Sequence, residues 1–572
     1  MPFVNPFAKE QKSFPGVLIP LSGGSPTSKI PAKKKSVGGT FDEEGAASPP
    51  PEYETELTLE ALRAEVEAAV VSTGQDTAYD RKSMVINRAV QDIGMGRYQW
   101  QLFVLCGFGW FADNESHVRF TTCALFIGLC LGSIIWGTAS DIIGRRLAFN
   151  MTLFLCGVFG IAVGGSPTWI GVCAMFACLG LGVGGNLPVD GALFLEFLPF
   201  ASGNLLTMLS VWWPVGQLVA SLIAWGLVPK YTCAEGLPSC HLAPAPCCAK
   251  EDNMGWRYLT YILGVLTFLM FLSRFFLFHL FESPKFLLSR GRQEDAVAAV
   301  HGIAYKNGAK TWLTVDILNE VGGHPDEVQS QKLSTAEIIK RQLNKFSGER
   351  IAPLFATKSL GFTTVLLWFC WATIGMGYPL FNAFLPQYLS QGGGDKYPPP
   401  TTYTGMFATI FTRLFLWLIK CETVYRDYAI TSIVGVPGSL IACYTVDIPY
   451  IGRKGTMAIS TMITGVILFC FTISPDPKVR LACTCLEAFF QNIMYGVLYA
   501  YTPEVFPAPN RGTGTGIASC LNRICGLLAP IVAIYGGDAN PKAPVYASGG
   551  LMLAAFVAMV LLPIETRGKA SL

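Results

Sequence analysis

The chain reads as an all-α integral membrane protein with twelve transmembrane helices in two pseudo-symmetric six-helix bundles. Three observations predict this. Of 572 residues, 51% are hydrophobic and only 14% charged, whereas soluble proteins carry about 25% charge. Twelve apolar segments recur at lengths near the roughly 20 residues needed to cross a bilayer. Two marker pairs also repeat at nearly one offset. Gly137-Thr-Ala-Ser-Asp141-Ile-Ile-Gly144-Arg145-Arg146 has a weaker copy in Asp447-Ile-Pro-Tyr-Ile-Gly452-Arg453-Lys454, with Asp447 306 residues after Asp141. Glu196 matches Glu504 in Tyr501-Thr-Pro-Glu-Val-Phe-Pro507, 308 residues on. Such doubling is the mark of transporters built from repeated helix bundles.

Residues 1–96 are polar and rich in Pro, Ser and Gly, and read as a mostly disordered cytoplasmic N-terminal tail. Leu57–Val71 is the one stretch there with an amphipathic helical pattern, and Lys33-Lys34-Lys35 is a basic run suited to anionic headgroups or plain solvation. Met1–Glu10 lacks the apolar core of a cleavable signal peptide. Pro50-Pro51-Glu52-Tyr53 fits the Pro-Pro-x-Tyr ligand that docks as a polyproline helix in a WW domain, which would recruit a ubiquitin ligase. The plain alternative is a stiff linker.

The first bundle, 97–281, holds apolar segments at about 98–113, 117–140, 147–166, 168–195, 204–228 and 256–281. A cytoplasmic loop with short helices, 282–358, follows; within it Ser334-Thr-Ala-Glu337 is a capping box. The second bundle, 359–566, has segments at about 360–389, 425–446, 455–474, 479–501, 513–535 and 543–563, and 567–572 is a short tail. The basic loops 141–146, 282–358, 452–454 and 567–569 share one side with both termini, so that side is cytoplasmic. Two places break the pattern. Trp100–Ala112 is a short first span, and Gly392–Val424 is an extra outward-loop piece whose apolar part, Met406–Ile419, is rejected as a span. A skipped exon near Asn114 and a retained intron near 395–424 would account for both; lineage variation is the other account.

The outward loop holds Cys233, Cys240, Cys247 and Cys248, which allow three disulfide connectivities. No Cys/His cluster has zinc spacing, no cofactor is implied, and the net charge of +3 suggests no nucleic-acid partner. No nucleophile–base constellation appears, so an enzyme is not expected. Gly180-Leu-Gly182-Val-Gly-Gly185 matches G-x-G-x-x-G but lies inside an apolar helix, where small residues allow close helix approach. The expected partners are a small-molecule substrate, protons and the lipid bilayer.

The Asp141-x-x-Gly144-Arg145-Arg146 pattern resembles the loop between helices 2 and 3 of the major facilitator superfamily, with Ile142 where that family usually has a basic residue. Phe281-Glu282-Ser-Pro, Pro503-Glu504-Val-Phe-Pro507 with Arg511-Gly512-Thr-Gly-Thr-Gly516, and Pro563-Ile-Glu565-Thr-Arg-Gly568 resemble its sugar-porter branch. Gly184-Gly-Asn-Leu-Pro-Val-Asp190 and Phe111-Ala-Asp113 are closer still to fungal relatives of synaptic vesicle glycoprotein 2. The likeness spans about 90–569. One departure is Met175-Phe-Ala-Cys178, where the family usually carries an Arg.

The resemblance implies a secondary transporter moving a sugar or organic ion; a non-transporting nutrient sensor is the rival reading. It makes Gly137, Asp141, Gly144, Arg145, Arg146, Glu196, Asp447, Arg453, Glu504 and Arg511 gating residues, with Arg145 or Arg146 pairing Glu196. Charges inside spans are costly and mark function. Glu487 lies roughly 14 Å from the outer end of its helix and Arg523 roughly 17 Å from the inner end of its own, so the two are expected to pair or to meet substrate. Arg274 is expected to snorkel to the inner face. Gln217, Tyr378, Asn382, Gln491 and Asn492 are polar groups in apolar helices and candidate substrate contacts. Asp113, set in a restored full-length first helix, is the proton-coupling candidate.

Overall fold

A computed structural model describes residues 13–21, 58–73, 78–112, 119–199, 204–233, 240, 247–323, 351–382, 406–473, 476–506, 511–540 and 542–566. Eighteen α-helices account for nearly all of them. A gate-end cap contains α1 (Leu59–Thr73), α2 (Ala78–Ile93), α10 (Pro284–Ser289), α11 (Gln293–Asn307) and α12 (Val315–Gly322). The first bundle contains α3 (Arg97–Ala112), α4 (Arg119–Ile143), α5 (Arg145–Gly165), α6 (Trp169–Phe197), α7 with α8 (Asn204–Met208, Trp212–Leu227) and α9 (Gly255–Phe276). The second contains α13 (Lys358–Asn382), α14 (Met406–Thr445), α15 (Gly452–Ile473), α16 (Pro477–Val505), α17 (Arg511–Ala539) and α18 (Ala543–Val560). Ten of the described helices or helix pairs are long and apolar enough to cross a bilayer, and α4 with the 16-residue α3 brings the spans to twelve.

Glycine sets the tightest packing in the first bundle. A Cβ on Gly180 or Gly184 of α6 would run into the backbone carbonyls of Leu125 and Leu129 on α4. On the facing helix, Gly128 and Gly132 meet the carbonyls of Ala177 and Leu181 in the same way. The two backbones therefore touch, as small-residue faces allow in membranes, and the glycine run is a packing seam.

Three expectations are corrected. The N-terminal tail is not mostly disordered over 58–96: α1 and α2 fold onto the 282–323 segment. Val85, Ile86, Ala89 and Val90 of α2 are buried in one core with Ala296, Val300 and Ile303 of α11. That apolar stripe supplies the driving force which the polar composition of the tail conceals. Arg63 pairs with Glu320 at 3.0 Å, and Trp312 Nε1 donates to Asp92 at 2.8 Å. Residues 17–19 add a bridge, Ile19 N to Thr311 O at 3.0 Å and Thr311 N to Val17 O at 2.9 Å. Second, 406–424 is not a loop piece. It continues the eighth span as one 40-residue helix, α14, of which Tyr425–Thr445 is the membrane-spanning part. Third, Arg274 does not snorkel, as described below. Among the three connectivities left open for the far-end loop, Cys233 pairs with Cys248 and Cys240 with Cys247. Lys33–Lys35, Pro50–Tyr53 and Ser334–Glu337 lie outside the described residues.

Candidate functional site

Three features are built into the bundles: a pair of charged clusters that are the candidate gates, a buried carboxylate in each half, and a cavity between the halves.

The gates are near copies. Gly144 breaks the chain between α4 and α5 with φ 106°, ψ 153°, a backbone region essentially reserved for glycine. Behind it the first backbone N–H groups of α5 are exposed as orphan donors with the helix dipole's positive end. Glu282 fills that place: Arg145 N and Arg146 N donate to its carboxylate at 2.9 and 3.3 Å. A Cβ at Gly144 would lie 2.6 Å from Glu282 Oε2, so glycine also makes room for the cap. Arg145 Nε stands 3.5 Å from Glu196 Oε1 and its Nη1 donates to Ser140 at 2.7 Å. Burial pushes the Glu282 carboxyl up; the N–H groups of Ser283, Arg146 and Arg145 oppose this, and Glu196 adds to it.

In the second half Gly452 has φ 61°, and Arg453 N and Lys454 N donate to Glu565 at 3.2 and 3.1 Å. Arg453 pairs with Glu504. Gly144 to Gly452 and Glu196 to Glu504 share an offset of 308 residues. Asp447 lies exposed beside Arg453 and interacts with it electrostatically. Glu282 and Glu565, which sequence reasoning named in motifs without assigning, cap the N-termini of α5 and α15. The readable signal was an acid at the end of each half's sixth helix. Gly137 is placed by backbone within α4; the side chains of Asp141 and Arg511 lie outside the described residues, as does Asp113.

The halves diverge at their buried acids. Asp190 in α6 and Arg274 in α9 have side chains with no solvent exposure, and Arg274 Nη2 meets Asp190 Oδ2 at 2.9 Å. Arg274 also donates to the carbonyls of Leu105 (2.8 Å) and Phe149 (2.9 Å), and its guanidinium carbon lies 3.8 Å from the Phe149 ring centroid. It stays buried because each donor group finds an acceptor, which removes the reason to snorkel. Gly109 admits this pair, since a side chain there would strike Asp190. In the second half Glu487 has no such cation. Asn382 Nδ2 donates to Glu487 Oε1 at 3.1 Å and to Gln491 Oε1 at 3.0 Å. Glu487 Oε2 and Gln491 Nε2 are buried without hydrogen-bond partners. The expected Glu487–Arg523 pair is absent among the described residues; similar depth did not put the two side chains on facing sides of their helices.

The cavity, about 420 Å³, is lined from the halves of the helices away from the gates, with Trp169 and Trp256 near its rim. Gln217, Tyr378, Asn382 and Arg523 line it, while Gln491 and Asn492 flank a small adjoining recess. Gln217 and Tyr428 are hydrogen-bonded to each other. Asn492 is tied to Ala488 O at 2.7 Å. An aromatic layer separates the cavity from the gates. Trp213 packs on Trp110 (5.5 Å between centroids) and Tyr495 (5.4 Å), and Tyr499 packs on Trp371 (4.9 Å) and Trp110 (5.3 Å). These rings come from both bundles.

Among known families, the model described as "Sugar (and other) transporter" matches residues 77–345, and that of the Major Facilitator Superfamily matches 428–571. The "MFS siderochrome iron transporter 1" of Ceriporiopsis subvermispora is 41% identical, over 87% of this chain and 93% of that one. Synaptic vesicle 2-related protein of Rattus norvegicus is 27% identical, over 90% and 88% of the two chains. Among solved structures, the proton:xylose symporter XylE superposes with a TM-score of 0.53 at 17% identity, over 83% of this chain and 98% of that one. The E. coli protein in a partially occluded inward-open state gives 0.51 at 15% identity, over 83% and 99%. At such identity these last two show the shared fold alone.

Proposed function

This chain belongs to the major facilitator superfamily, a family of multi-pass membrane transporters, and from that premise we propose a secondary active transporter that moves a small polar solute, a sugar or organic ion, by alternating access. The observation that carries this reading is the cavity on one side of the aromatic layer, with both gates paired on the other. Rocking the bundles would break Arg145–Glu196 and Arg453–Glu504, part the rings and open the same cavity to the gate end. The gate end carries the basic loops, so we place it in the cytoplasm. The comparisons lend no support to a non-transporting sensor.

We propose that uptake is driven by an inward proton gradient. Two carboxyls compete for the proton. Asp113 is the acid of the first apolar segment, 98–113. Glu487 becomes the stronger rival, because Arg523 does not hold it as a fixed ion pair. The partners follow: a small-molecule solute, protons, the lipid bilayer and, through Pro50–Tyr53, a WW-domain ubiquitin ligase.

The test is uptake of labelled sugars, organic acids and amines into proteoliposomes holding the full chain, with and without an imposed pH gradient. Accumulation that needs the gradient and collapses with a protonophore is expected. Glu487→Gln or Asp113→Asn, whichever is the carrier, keeps exchange and loses accumulation. Exchange of no solute in the panel would reject the reading; accumulation indifferent to protonophore would reject the coupling.

A further inference from the structure

Arg523 is 8% exposed and lines the cavity near the middle of α17. It makes no ion pair with any described carboxylate, and among the described residues no other charged side chain lines the cavity. Glu487, at similar depth, is bound through Asn382 instead. A guanidinium set in the middle of a span and facing a cavity, with no described counter-charge, is costly, and a residue in that condition inside a membrane marks a binding site. The missing anion is therefore one the solute brings.

Resting on the transporter reading above, we propose that the solute is a small aromatic or heteroaromatic monocarboxylate whose carboxylate sits on Arg523. One cation accommodates one negative charge. A dicarboxylate would bury a second charge with no partner, and an organic cation would meet Arg523 as a like charge. A neutral sugar would hydrogen-bond the guanidinium but leave its charge unmet. The planar fork of Arg suits a carboxylate held by two parallel hydrogen bonds.

The ring follows from the walls. Tyr378, Tyr428, Tyr495, Tyr499 and Trp213 present flat faces and edges, and Tyr495 lies within the electrostatic reach of Arg523. Aromatic pairs of this kind add stabilisation beyond area burial. Gln217 and Asn382 line the same space; Gln217 is bonded to Tyr428 and both Asn382 N–H groups are given to Glu487 and Gln491, which leaves the Asn382 carbonyl to accept from a ring hydroxyl. The volume of about 420 Å³ is that of a small-molecule site.

The test uses the full chain in proteoliposomes and counterflow of labelled benzoate and 4-hydroxybenzoate. Benzamide, D-xylose, choline and terephthalate serve as competitors. Exchange of both carboxylates is expected. Benzamide, which keeps the ring and loses the charge, should compete roughly tenfold to a hundredfold less well than benzoate, the span of one hydrogen-bonded charge. Arg523→Gln should lose exchange by at least about tenfold, and Arg523→Lys should retain part of it. If Arg523→Gln does not fold, the benzoate-against-benzamide ratio on the parent chain decides alone. Exchange of D-xylose or choline with no benzoate exchange would overturn the solute class while leaving the transporter intact. Equal potency of benzamide and benzoate, or undiminished benzoate exchange by Arg523→Gln, would overturn it as well. Exchange of no compound at all would overturn the transporter reading and this one with it.

Discussion

Among the described residues each bundle buries one carboxylate, and the two have unlike partners. Asp190 faces Arg274, and each nitrogen of that cation donates to an acceptor. Glu487 is bonded by the neutral amide of Asn382 and by no described cation, while each acid keeps one oxygen, Asp190 Oδ1 and Glu487 Oε2, without a hydrogen-bond partner. The gates show the reverse pattern: Gly144 with Glu282 and Arg145 with Glu196 are repeated in Gly452 with Glu565 and Arg453 with Glu504. Where the halves share a task, the chemistry was kept in both copies. Where they differ, the first half has fixed its charge as scaffold, and the second has left an acid and a cation, Arg523, without fixed ionic partners beside the cavity.

The largest expected effect breaks this contrast directly. Arg274→Leu strands Asp190 as an unpaired buried charge and should cost about 3–5 kcal/mol. Thermal unfolding in detergent would show it as a large fall in Tm, or as loss of the folded peak. Asp190→Asn combined with Arg274→Met removes both charges and should recover most of that loss. Glu487→Gln should fall within about 1 kcal/mol of the parent, because the replacement amide still bonds Asn382. If Glu487→Gln unfolds the protein as badly as Arg274→Leu, the two acids play one structural role and the contrast fails.

A middle-sized effect sharpens the likeness of the gates. Gly144 occupies a backbone region only glycine enters, whereas Gly452 at φ 61° sits where Asn is tolerated. Gly144→Asn should cost about 1–3 kcal/mol and reduce transport severely. Gly452→Asn should be milder, since only the mobile carboxylate end of Glu565 must shift. Equal losses in Tm and uptake for the two variants would show that crowding against the glutamates, and not φ, governs both sites.

The paired charges of the repeated motifs, Arg145 with Glu196 and Arg453 with Glu504, were legible in the sequence because charged loops stand out against apolar spans, and because a repeat fixes which letters belong together. Twelve spans were legible for the same reason. Arg274 was misread because depth along a helix is countable and the direction a side chain faces is not; its partner Asp190 lies 84 residues away. The same blindness to azimuth paired Glu487 with Arg523. The cap was hidden by composition. Val85, Ile86, Ala89, Val90 and Ile93 form a helical stripe in α2, but polar surroundings outweighed it. Glu282 and Glu565 were visible as motif letters, yet their role as caps appears only once the chain turns back beneath α5 and α15.

The smallest expected effect concerns pH, and it separates the halves by what covers them. Among the described residues the cap covers the first gate and not the second, and the second bundle contains no histidine. His279, between α9 and α10, has its pKa lowered to about 4, chiefly by burial and further by the cations Lys306 on α11 and Arg146 on α5. Its ring packs on Phe281, and Lys306 Nζ donates to its carbonyl at 2.7 Å. The unfolded cap binds a proton near pH 6.5 that the folded cap refuses until about pH 4. Stability of the cap is therefore full above about 6.5 and falls as pH drops through that window. Lys306, lowered to about 8, is charged in both states below pH 7 and adds no slope there. Glu282 acts oppositely: its raised pKa means that the folded state gains relative to the unfolded one as its carboxyl takes up a proton. Comparing the parent with His279→Gln holds that contribution constant. Hydrogen exchange at pH 7 and pH 5 should show 285–307 losing protection in the parent, less so in His279→Gln. Residues 452–473 should change equally in both. The same loss in both proteins would assign the pH response to the carboxylates and leave the cap with no histidine of its own to answer for.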